Sequence, residues 1–114
     1  MTHNTSLTIL STAIRQDAGG RFCLNDCWGA AGKPEEKKPS NWNDLLGTKE
    51  LVEEICQSEN LTFGGKQPLF VKRGGNAPGI WACKELVYAY AMWISPAFHL
   101  QVIRAFDAMV MGKI

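Results

Sequence analysis

A chain of 114 residues, 46% hydrophobic and 20% charged, is long enough to bury one core and too ordinary in composition for a disordered tail. Its formal charge of +1 names no partner, so any electrostatic role rests on where the charges lie. Cys23, Cys27, Cys56 and Cys83 include no Cys-x-x-Cys pair, and His3 and His99 are not spaced with them as zinc ligands; this usage predicts free thiols in a reducing compartment and no metal.

The opening MTHNTSLTIL lacks the basic start and continuous apolar run of a secretory signal. From Ser6 to Leu24, Leu7, Ile9, Ile14, Phe22 and Leu24 alternate partly with polar residues around a DAGG turn, which predicts two or three short antiparallel strands. NDCWGAAG predicts a helix of barely two turns, with Asn25 as its cap, Asp26 at its positive end and Gly32 stopping it in a left-handed conformation. KPEEKKP is a charged, proline-bounded, exposed connection. In SNWNDLLG, Trp42, Leu45 and Leu46 fall at i, i+3 and i+4, predicting one buried face with Asn41, Asn43 and Asp44 turned elsewhere. Gly47 ends that helix, and Thr48 caps the next, KELVEEICQ, with Leu51, Val52 and Ile55 inward and Glu50, Glu53 and Glu54 outward.

SENLTFGGKQP reads as a loop and PLFVKRGGNAPGIWAC as a second hairpin, Leu69 to Lys72 out and Ile80 to Cys83 back. KELVYAYAMWI is apolar nearly all round and predicts a centrally buried helix. Ser95-Pro96 is a helix start, and the last helix runs from about Pro96 to Met111 on a stripe of Phe98, Val102, Ala105, Phe106 and Met109. Residues 86 to 103 carry no charged side chain, but Ser95, Pro96, His99 and Gln101 interrupt them, so no membrane span is expected.

Catalysis needs titratable groups converging on a pocket. Here the acids sit on a solvated helix face or singly at caps and turns, and His99 stands alone in its segment. GGNAPG lacks the Gly-Lys-Ser/Thr ending and following helix of a phosphate-binding loop. No enzyme and no cofactor are expected. Nucleic-acid binding has more support, because residues 66 to 84 hold Lys66, Lys72, Arg73 and Lys84 without an acid. A second cluster, Lys33, Lys37 and Lys38, mixed with Glu35 and Glu36, precedes the helix carrying Asn41 and Asn43. Lysines set register on phosphates, and an asparagine amide offers one donor and one acceptor to an adenine edge. Two short helices followed by a basic hairpin suggest a winged helix-turn-helix with Lys72 and Arg73 on the wing. The competing reading is that those cations only discourage strand-edge association.

IRQDAGGRFCLNDCWGAAG, KPSNWNDLLGTKELVEE and VKRGGNAPGIWACKELVYAYAMWISPAFHLQVIRAFD resemble the KilA-N domain of bacteriophages and large DNA viruses, related to the fungal APSES DNA-binding domain. The likeness covers residues from about 8 to 110 and treats 1–114 as a single domain. It implies an α+β, small winged-helix-like domain: N-terminal β-hairpin, short helix-turn-helix, β-hairpin wing and C-terminal helices. It also implies a double-stranded DNA-binding module of a phage regulatory protein or antirepressor, working in the bacterial cytoplasm or nucleoid. Asn41 and Asn43 are the candidates for base readout; Lys37, Lys38, Ser40, Lys49, Lys72, Arg73 and Asn76 are those for backbone contact. Gly29 stands where relatives often carry a lysine or another polar residue, and KPEEKKP is less basic than the corresponding loop commonly is. The alternative function is a protein-interaction module binding a repressor or host protein, favoured by the near-neutral total charge and by Glu50, Glu53 and Glu54.

Overall fold

The computed structural model describes residues 6–58, 67–75 and 78–111. The expected α+β architecture is present, with an N-terminal antiparallel hairpin, a further sheet and several helices. Strands β1 (Leu7–Ile9) and β2 (Thr12–Ile14) pair antiparallel, with Leu7 opposite Ile14 and Ile9 opposite Thr12. Their two-residue turn places Leu10 and Ser11 at φ of 49° and 69°. Such mirror-image turns match the strand twist and normally recruit Gly or Asn. The DAGG turn forms as expected: Gly20 takes φ 86°, and the Asp17 carboxylate accepts from the Gly19 and Arg21 amides at 2.9 and 2.8 Å.

Strand β3 (Phe22–Cys23) leaves the first hairpin and joins a second sheet, in the order β3-β5-β4. There β4 (Leu69–Lys72) runs antiparallel to β5 (Gly79–Ala82), pairing Phe70 with Trp81 and Lys72 with Gly79. Strand side chains alternate between faces. Leu69, Val71, Ile80 and Ala82 belong to or pack on the core, so Phe70, Lys72 and Trp81 share the outer face.

Helices α1 (Leu24–Ala30), α2 (Pro39–Asn43), α3 (Leu46–Ser58), α4 (Lys84–Ile94) and α5 (Pro96–Met111) complete the described residues, with one 3-10 turn at Glu35–Lys37. The α4–α5 pair is the keel of the core. Leu86, Val87, Tyr90 and Ala91 face Phe98, Val102 and Phe106 together with the buried residues of β1 and β2. Phe106 meets Phe22 and Tyr88 edge-on at 5.2 and 5.1 Å, contacts worth about 0.5–1.5 kcal/mol each beyond area burial. The corner follows the sequence, since the Ser95 hydroxyl accepts from the Phe98 amide at 3.0 Å with Pro96 opening α5. Helix α4 is not buried all round: Met92 is 58% exposed, because α4 packs on the core along one side.

A second tie joins β2 to α1. The Arg15 guanidinium grips Asp26 through Nε at 2.9 Å and a terminal nitrogen at 3.0 Å, and the Arg15 amide donates to the same carboxylate at 2.9 Å. Burial raises the Asp26 pKa, but the hydrogen bonds and charge of Arg15 outweigh it and hold the carboxyl below its ordinary value. A depressed carboxyl contributes stability above its unfolded value, near 3.9, and that contribution is lost as pH falls through the lower folded value. Asp26→Asn is therefore expected to cost about 1–2 kcal/mol at pH 7. Urea titrations of both proteins at neutral pH and near pH 3 check this: the gap should narrow in acid.

Candidate nucleic-acid interface

The segment around α2 is held from beneath by aromatic side chains. Trp42, 3% exposed, packs edge-on to Tyr90 at 5.5 Å. The Tyr90 hydroxyl donates to the Lys37 carbonyl at 2.6 Å, and the Trp28 indole N–H donates to the Pro34 carbonyl at 2.8 Å. Lys37 lies over the Trp93 ring at 4.4 Å, a cation–π contact. With Pro39 and Trp42 buried, α2 turns Ser40 and Asn41 into solvent; Asn43 is half-buried.

The sequence expectation for the far end of this helix needs correction. Leu45 and Leu46 are 39% and 70% exposed, so the buried face predicted from their spacing with Trp42 does not extend to them. Helix α2 stops at Asn43, and α3 begins at Leu46 in a new direction, which breaks the i, i+3, i+4 relation. Thr48 does not cap α3 from outside. It lies within the first turn, buried, and its hydroxyl donates to the Trp42 carbonyl at 2.7 Å, tying α3 back to α2. Gly47 falls inside α3.

Helix α1 also starts differently. Cys23 occupies its N-cap without a side-chain capping bond, and Asn25, the expected cap, accepts from the Ile80 amide of β5 at 2.9 Å. At Gly79 the backbone has φ +145°, and a Cβ there would stand 2.8 Å from Asn25 Oδ1. Asn25 and Gly79 thus form a latch setting the β4–β5 hairpin against α1. Gly32, at φ 92°, lies just beyond α1 in the left-handed conformation expected of it.

This latch opens a cleft of about 420 Å³. Asn25 and Trp28 of α1 lie between its walls, Lys38 and Ser40 line one side, and Lys72 and Arg73 line the other. The start of α2 and the basic hairpin therefore share one side of the molecule. Among the described residues Lys72 and Arg73 have no acidic partner, whereas Lys38 pairs with Glu35 at 3.0 Å. Strand alternation aims Lys72 toward the outer face, and Arg73 follows just past the strand end. Lys72 contributes to the cleft from its rim.

The other expected site residues are distributed unevenly. Asn41 is exposed beside the cleft, its amide nitrogen 3.4 Å from the Glu36 carbonyl. The Asn43 backbone carbonyl accepts from Lys49 Nζ at 3.2 Å, and both residues lie outside the cleft lining. Lys37 points to Trp93. Asn76 and Lys66 lie outside the described residues. Sequence reasoning missed the part played by Asn25, Trp28 and Gly79, which build the cleft without carrying charge.

Among the described residues no group of histidine, cysteine and acidic side chains could hold a metal, and no helix is long and apolar enough to cross a membrane. The four cysteines are free thiols, with those of Cys23, Cys27 and Cys83 pushed up in pKa by burial.

The chain is 36% identical over 112 residues to protein kilA of Escherichia phage P1, an alignment taking in 97% of this chain and 40% of that protein. It is 32% identical over 79 residues to a KilA-N domain-containing protein of Acanthamoeba polyphaga mimivirus, covering 67% of this chain and 22% of the relative. The chain thus spans well under half the length of these relatives. No solved structure matches. The model of the KilA-N domain family matches residues 6–112, nearly all of the sequence, and on that match the chain belongs to the KilA-N family.

Proposed function

We propose that the protein is a double-stranded DNA-binding module of winged-helix type from a phage regulatory protein, in which α2 reads a groove and the β4–β5 hairpin is the wing. The observation that carries this reading is the shared cleft: Lys38 and Ser40 at the start of α2 face Lys72 and Arg73 of the hairpin across about 420 Å³. A space of that size takes a ligand fragment rather than a duplex. DNA would lie across the rims and seat part of its sugar-phosphate rail between them.

On this reading Lys38, Ser40, Lys72 and Arg73 grip the backbone, as would Asn76, and Asn41 reads a base edge. Lys37 and Lys49 engage their own neighbours, so they serve by positioning α2 or by adding to the local positive field, and Asn43 lies outside the cleft lining. The host cytoplasm or nucleoid is where such a module acts.

The test is fluorescence anisotropy of a labelled random duplex at low salt, followed by selection of a preferred site from a random pool. Saturable binding supports the reading, and none at low salt sinks it. Asn41→Ala is expected to cost roughly 1–3 kcal/mol on the selected site alone, the size of a bidentate base contact. An equal loss on random DNA moves Asn41 to the backbone class.

A further inference from the structure

The outer face of the β4–β5 hairpin carries a second cleft, of about 340 Å³, lined by Arg15, Gln16, Asp17, Phe70, Lys72 and Trp81. We propose that it is a docking site for a partner-protein segment presenting an apolar side chain beside a carboxylate.

Apolar and cationic groups meet here. Phe70, 44% exposed, stands next to its cross-strand partner Trp81. Arg21 lies over the Phe70 ring at 5.0 Å and Arg15 over the Trp81 ring at 5.6 Å. Tryptophan, phenylalanine and arginine are the residue types that protein interfaces concentrate. Trp81 is only 4% exposed, and its buried indole N–H has no acceptor, an omission that folded proteins seldom tolerate. A partner that displaces a covering side chain can supply that acceptor.

The charges choose between ligand classes. Arg15 is paired with Asp26 and Arg21 with Asp17, each at 2.9 Å. That leaves Lys72 as the cation of this cleft without an acidic partner among the described residues. One unneutralised ammonium beside an exposed aromatic ring suits a monoanion with an apolar neighbour. A nucleic-acid strand fits poorly, because one unpaired cation answers only one of its many phosphates. The cleft shares Lys72 with the one beside α2 and none of its other lining, so docking here does not depend on the DNA-binding reading.

The experiment titrates 15N-labelled protein with acetyl-Phe-Glu-amide and, separately, acetyl-Phe-Gln-amide. It reads the indole N–H signals of the four tryptophans. Trp81→Phe assigns the Trp81 signal, or sequential assignment does so if that variant fails to fold. Saturable movement of the Trp81 signal is expected, with the glutamate peptide bound roughly fivefold more tightly, the scale of one exposed ion pair. Lys72→Ala should erase that preference. Phe70→Ala should abolish binding of both peptides while the other indole signals show the fold retained. A Trp81 signal unmoved by millimolar peptide, or equal affinity for the two peptides, overturns the proposal. So does a thymidine oligonucleotide that moves the signal where the peptides do not.

Discussion

With Lys72 and Arg73 both replaced by alanine, the slope of log affinity against log salt is expected to flatten by about 0.9 for each phosphate left unneutralised. Two such phosphates give roughly 1.8, which corresponds to affinity about 30-fold lower near 0.15 M salt if the electrostatic part vanishes at 1 M. The weakening should be the same on random and selected duplexes, because the sugar-phosphate backbone carries no sequence information. The cleft linings add a finer expectation. Arg73 lines only the cleft beside α2, whereas Lys72 also lines the cleft on the outer face, so Arg73→Ala alone should take the larger share. Anisotropy titrations at four or more salt concentrations measure both quantities. A slope identical to that of the parent protein would remove the hairpin from the interface.

Gly79→Ala carries the largest expected cost in stability. The new Cβ would stand 2.8 Å from Asn25 Oδ1, at a backbone φ of +145° that side-chain-bearing residues rarely adopt. Strain of this kind costs about 1–3 kcal/mol, and losing the Ile80 amide bond to Asn25 adds about 1. The thermal midpoint should fall by on the order of 10 °C. Asn25→Ala removes the bond and opens the space, so the double variant should be less damaged than the sum of the two singles by about 1 kcal/mol or more. Strict additivity in a thermal-melt cycle would show that close approach is not why glycine stands there.

What the sequence made legible was local. Ser95 and Pro96 mark the α4–α5 corner, because a hydroxyl acceptor and a residue without an N–H suit the first turn of a helix wherever it occurs. Leu69 to Lys72 and the strand after Pro78 show themselves by composition and by the glycines between them. The turn at Leu10-Ser11 carries no such mark, since its left-handed residues are imposed by the strands on either side. Asn25 illustrates the deeper obstacle. Its amide oxygen suits a helix cap as well as it suits the Ile80 amide 55 residues away, and sequence offers no measure of which donor arrives first.

The candidate site divides along the same line. The cations and asparagines were visible as residue types. Their convergence was not, because it depends on β5 running between β3 and β4 and on the latch to α1. Nor did the pair Lys72-Arg73 disclose that Lys72 would line two clefts and Arg73 one.

Helix α2 is anchored through Pro39 and Trp42, and through a carbonyl preceding it that receives the Tyr90 hydroxyl. None of those anchors uses the side chain of Ser40 or Asn41. On the proposed reading of α2, evolution can therefore exchange these outward groups, and with them the preferred target, while the anchorage below stays untouched. If α2 reads DNA as proposed, the same separation makes it a ready place for an engineer to transplant new specificity.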